Sequence, residues 1–197
     1  MRIDPWQPVS RIKFAVFSIC CGIMTLVLLK SESGSVFLLD GANLLFHEAG
    51  HLVFGILGPT AGLYGGTLGQ FVFPAVIIIG FWRQRAAVSF AAGWIWFFEN
   101  FFSVARYMAD ARAQILPLVG GGEHDWFNIF LRWHVLEHDI SIAAVVHICG
   151  WAGMLLTWGW LAWRTWSDKV NFTAGLIRRS EPSIALPRGT SDGIKQS

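Results

Sequence analysis

Apolar residues run along this chain in blocks longer than a helix of a soluble domain requires, and the polar residues inside those blocks recur at helical spacing. Phe14 to Leu29 is the first block, preceded by Arg2, Arg11 and Lys13. No small-x-small cleavage pattern follows it, only Lys30 and SESGS, so it reads as a retained span. Val36 to Leu57 forms the second. Pro59 and the glycine-rich run GPTAGLYGGTLG then break the pattern, and a third span is expected over Gly66 to Trp82, interrupted by Gln70 and Pro74. Arg83, Gln84 and Arg85 make a short loop before a fourth, Ala86 to Met108. The segment VGGGEHDW turns the chain, with Asp125 placed to cap a short amphipathic helix from Trp126 to Asp139. A fifth span covers Ser141 to Trp163. Beyond it, Arg178, Arg179, Pro182, Pro187 and several serines predict a disordered tail over 167–197. The expected fold is all-α: a membrane helix bundle over residues 1–166, with about five transmembrane helices and one short amphipathic helix.

Composition agrees with that class. Of 197 residues 54% are hydrophobic and 14% charged, and eleven are tryptophan, a residue that favours the membrane interface. A net charge of +2 gives no reason to expect a nucleic-acid partner; the expected partner is the lipid bilayer. Cys20, Cys21 and Cys149 all lie in apolar blocks and form no disulfide framework.

The polar residues left inside the apolar blocks carry the chemistry. In the second block, LLFHEAGHLVFGILG holds His47, Glu48 and His51 as H-E-x-x-H. On a helix both imidazoles lie on one face and can reach one metal ion, with the glutamate beside it as general base. At about 1.5 Å per residue, His47 lies roughly 17 Å into the block and His51 about 6 Å deeper. Two histidines and a glutamate cost several kcal/mol at that depth unless they have partners, so a metal site is the favoured reading over inert packing. In the fourth block Glu99, Asn100, Ser103, Tyr107, Asp110 and Gln114 fall within a sector of roughly 100° at helical spacing. Such a stripe must face protein or water, and the motif helix is its natural counterpart.

Catalytic zinc takes three protein ligands and keeps one position open. Beside His47 and His51, the third is sought first in Asp110, on the polar stripe, then in His124, presented by the glycine loop, and last in Asp125, which reads foremost as a helix cap. Asp40 reads as a cap or interface residue. A competing motif, HVLEH, places His134, Glu137 and His138 in the inverted H-x-x-E-H spacing, but in an amphipathic setting where polar residues need no special reason. His147, inside the fifth span, leaves haem ligation as the alternative.

With FHEAGH in a spanning segment, a glycine-rich turn after it and a later helix with an acidic candidate, the region from Val36 to about Trp126 resembles the membrane-embedded zinc peptidases of the site-2 protease, or M50-like, class. That resemblance implies a three-helix catalytic core, a zinc cofactor held by His47 and His51, Glu48 as catalytic base, and transmembrane or membrane-proximal proteins as substrates. The family's later NxxPxxxLDG signature is absent. DAR with Asp110, or HDW with His124 and Asp125, stands in its place.

Overall fold

A computed structural model describes residues 5–30, 37–118 and 123–180. Among these every regular element is helical: α1 (Arg11–Lys30), α2 (Phe37–Gly55), α3 (Pro59–Arg83), α4 (Ala87–Ala109), α5 (Asp125–Arg132), a single 3₁₀ turn (Leu136–His138) and α6 (Asp139–Ser180). Three stretches are long and apolar enough to cross a membrane: Arg11–Lys30, Pro59–Arg83 and Leu136–Asp168. Helices α2 and α4 are not among them, because their inward faces carry the polar residues of the motif and the stripe.

The packed pairs α2–α3, α3–α4 and α4–α6 run antiparallel. Helix α2 lies mainly on α3, α3 also packs on α4, and α4 packs along α6, against which α1 leans. At one end of the bundle the amino-terminal segment is tied down. Gln7 N–H donates to the Arg85 carbonyl (2.9 Å), Val9 N–H donates to Asp168 Oδ2 (3.0 Å), and Trp6 packs on Phe90 and Trp160. At the other end the α2–α3 turn, the chain after α4, helix α5 and the start of α6 come together. There Arg112 pairs with the buried Asp139 (2.6 Å), Arg132 donates to Thr60 Oγ1 (3.3 Å), and Trp133 Nε1–H donates to the Tyr64 hydroxyl (3.0 Å).

The glycine-rich run departs from expectation. It is not an irregular turn: α3 begins at Pro59, seven residues before the expected start, and holds all but the first residue of GPTAGLYGGTLG. Proline is preorganised for the first helical position, and Gly58 before it takes φ +114°, which a side chain would resist. The glycines serve contact instead of turning. A Cβ on Gly50 would lie 2.8 Å from the Gly65 carbonyl carbon and 3.0 Å from Gly69 Cα, so α2 and α3 touch backbone to backbone. Gly150 and Gly153 of α6 similarly seat the rings of Phe98, Phe101 and Phe102 from α4.

Three boundaries also shift. The amphipathic helix expected to reach Asp139 stops at Arg132, and His134 follows at φ +57°. Its cap is His124, whose Nδ1 accepts from Phe127 N–H (3.2 Å), one residue before the expected Asp125. Helix α6 runs on to Ser180, past the end of the expected bundle domain at 166. The rest of the expected tail, 181–197, lies outside the described residues, as do Gly120 to Gly122.

Candidate metal centre

The expected pairing of the motif helix with the polar stripe is present. From α2, the buried Asn43 donates through Nδ2 to Glu99 Oε2 (2.9 Å) and accepts from Trp96 Nε1–H (2.9 Å); Asp40 pairs with Arg106 (3.7 Å). One turn along α2 from Asn43, on the same face, is His47, whose ring lies 5.8 Å from that of Tyr107.

His47 Nε2 and His51 Nε2 are 3.1 Å apart, and each meets Asp125 Oδ2, at 2.9 and 3.1 Å. These three are the one group of His, Cys, Asp and Glu among the described residues close enough to share a metal ion. The imidazoles are aimed by their other nitrogens: Nδ1 of His51 is 2.8 Å from the Gly62 carbonyl oxygen, and Nδ1 of His47 is 3.4 Å from Oε1 of the buried Gln70. Both partners are acceptors, so both Nδ1 atoms carry the hydrogen and both Nε2 atoms present a lone pair. Two lone pairs and a carboxylate facing one point require a cation between them, either a proton on an imidazole or a metal.

The metal fits. Donors at about 2.0–2.1 Å from a tetrahedral ion stand about 3.3 Å apart, so a triangle with edges of 2.9–3.1 Å has to open by only a few tenths of an ångström. Gly66 of α3 closes one side. A Cβ there would come within 2.5 Å of both Nε2 atoms, so only glycine leaves the space free. Glu48, half-buried on α2 next to His47, makes no hydrogen bond or ion pair with any described residue.

The third side chain that meets the two imidazoles is therefore Asp125, the last of the three candidates, and the other two are engaged elsewhere. Asp110 accepts from Ile115 N–H (2.9 Å) and Leu116 N–H (3.1 Å), fastening the chain after α4. His124 caps α5 through Nδ1, which leaves Nε2 facing Asp110 Oδ2 at 3.4 Å, outside hydrogen-bond alignment. Burial pulls its pKa down against the attraction of Asp110 and Asp125, which favours the neutral ring. Asp125 is pushed the other way by burial, but where a proton takes the cation's place on the imidazoles, hydrogen bonding and charge from His47 and His51 outweigh that and hold its carboxyl below the ordinary range.

The competing motif does not assemble. His134 lies in a turn, Glu137 and His138 are exposed on the 3₁₀ turn, and those two pair only weakly with each other at 3.6 Å. His147 is exposed on α6, with its ring against Phe102 (5.0 Å) and Trp151 (6.4 Å). Sequence reasoning passed over Gly66 and the orienting role of Gln70, since neither residue type advertises a place beside a metal.

Compared with protein-family models, curated proteins and solved structures, the chain finds no match in any of the three.

Proposed function

We propose that this chain is a multi-pass membrane enzyme, a zinc-dependent endopeptidase of the site-2 protease kind, acting on transmembrane or membrane-proximal proteins. In this reading α2 and α4 cross the bilayer together with α1, α3 and α6. Their polar residues turn towards each other, and the outer side of α2 offers Leu44, Leu45, Leu52 and Val53 to lipid. The observation that carries the reading is the meeting of His47 Nε2, His51 Nε2 and Asp125 Oδ2 at one point, with Glu48 following His47 on the same helix and making no hydrogen bond or ion pair with any described residue. Two neutral imidazoles and a carboxylate are a donor set that zinc accepts in hydrolases.

Zinc held there supplies Lewis acidity and lowers the pKa of water to about 7. Glu48 takes the proton from the attacking water and returns it to the leaving amine. Gln70 and the Gly62 carbonyl keep the two rings in register, and Gly66 keeps the space between them clear. His51 lies four residues before the end of α2, about 6 Å from the helix terminus, so the site sits near one end of the bundle. A substrate helix has to unwind to present a carbonyl there, because its backbone is internally hydrogen-bonded.

The test is metal analysis of the purified chain combined with cleavage of membrane-spanning peptides by wild type and Glu48→Gln. Stoichiometric zinc in both proteins, with cleavage lost in the variant, is expected. Equal turnover by the two removes Glu48 from the chemistry. A Soret band without zinc transfers the site to haem chemistry.

A further inference from the structure

Tyr107 lies beside His47 and Asp125 and has no part in the scheme above. Its ring is fixed on both sides, edge-on to His47 (5.8 Å, 73°) and tilted over His124 (4.2 Å, 36°). Its hydroxyl oxygen accepts from the backbone N–H of Asp125 at 3.1 Å, one residue's backbone away from the carboxylate facing the imidazoles. That bond uses the oxygen as an acceptor and leaves the O–H hydrogen unspent: no described residue accepts it. The side chain is half-buried, in line with a donor that a bound molecule can reach. It is also polarised, since a phenol oxygen that accepts a hydrogen bond becomes a better donor of its own hydrogen.

We propose that Tyr107 is a further catalytic residue whose hydroxyl donates a hydrogen bond to the scissile carbonyl oxygen as it becomes an oxyanion. The inference rests on the hydrolase reading and extends it. In the step concerned, the water oxygen bonds to the carbonyl carbon, its proton passes to Glu48, and the carbonyl π pair moves onto oxygen. The Tyr107 hydrogen stays on the phenol throughout. When the C–N bond breaks, the pair returns from oxygen to carbon and the nitrogen leaves with the proton from Glu48. A fixed donor of this kind acts where charge develops, which is where hydrogen bonding speeds a reaction most.

A positioning role is the competing explanation, because the same hydroxyl tethers Asp125. Tyr107→Phe in the full-length protein separates the two by three binding measurements. These are zinc affinity against a competing chelator, affinity for a peptidyl phosphonamidate, and affinity for a mercaptoacetyl peptide. The phosphonamidate carries a second oxygen in place of the oxyanion and the thiol does not. Removing a hydrogen bond to a charged group weakens binding by about tenfold to a hundredfold. The expected result is that loss for the phosphonamidate alone, with zinc and thiol affinities within about threefold of wild type. Equal loss for both inhibitors, a parallel fall in zinc affinity, or unchanged phosphonamidate binding each overturns the assignment, as does a zinc-loaded wild type that ignores the phosphonamidate. Failure of the underlying reading looks different: wild type then binds zinc no better than His47→Ala.

Discussion

Gly66→Ala separates the integrity of the fold from that of the site. The added methyl carbon would stand 2.5 Å from Nε2 of both His47 and His51 and 2.6 Å from His47 Cε1. Ordinary contact needs about 3.4 Å or more, so the rings have to retreat by about 0.9 Å. They are the free ends of side chains, and the retreat costs the helices little. Overpacking of this kind costs about 1–3 kcal/mol, offset by about 1 kcal/mol for replacing glycine by alanine inside a helix. Metal-free stability should therefore fall by no more than about 2 kcal/mol. On the proposed zinc reading, metal binding loses far more. The methyl would lie 2.5 Å from both nitrogens that an ion has to approach to about 2.0–2.1 Å, and making room for it displaces both ligands. Disturbing even the orienting partners of metal ligands costs 10–100-fold in affinity, so displacing two ligands should cost at least about a hundredfold. The assay is zinc affinity by chelator competition, run beside unfolding with and without zinc. Gly80→Ala on the same helix is the control, since its Cβ would meet nothing within 4 Å. Zinc bound by Gly66→Ala as tightly as by wild type would refute the placement of the ion.

Other substitutions test the remaining parts. Asp125→Asn should lower zinc affinity by at least about a hundredfold while Asp110→Asn stays within about tenfold of wild type, judged by the same competition; the reverse ranking returns the third ligand to Asp110. In the metal-free protein the depressed Asp125 pKa gives stability that is present above the ordinary carboxylate range and is lost as pH falls through the folded value. The stability gap between wild type and Asp125→Asn should thus be open at about pH 6 and narrow as pH falls below the ordinary carboxylate value of about 4, read by unfolding across that range; a gap that does not narrow in acid is the contrary result. Gly50→Ala, which forces a methyl against the Gly65 carbonyl, should destabilise the bundle by about 3 kcal/mol in denaturant titration, and a value within about 0.5 kcal/mol of Gly41→Ala, which meets nothing within 4 Å, contradicts the backbone contact.

Much of this arrangement was legible in the residues. The stripe on α4 implied a polar counterpart on α2, and Asn43 and His47 supply it, facing Glu99 and Tyr107. The third donor was harder to read because capping and ligation draw on similar side chains, and His124 and Asp125 differ by a single position. Capping by His124 left Asp125 free to face the imidazoles, while Asp110, correctly placed on the stripe, is held by two backbone N–H groups. The glycine run misled for a physical reason. Glycine breaks helices in water, where its backbone gains freedom on unfolding, but between apolar helices it permits contact that larger residues prevent, and α3 carries it without a break. HVLEH has the right spacing but lacks one continuous helix, which the left-handed His134 ends.

The glycine contact between α2 and α3 bears on how the molecule is born. His47, His51, Gly62, Gly66 and Gln70 all belong to one adjacent helical pair, whereas Asp125 comes 74 residues after His51 (125 minus 51). During synthesis the early pair can form while the carboxylate is still untranslated, so a nascent chain holds a two-nitrogen half-site with weak hold on any ion. The three side chains can meet only once the segment after α4 arrives, so on the proposed zinc reading activity waits until most of the bundle has been made.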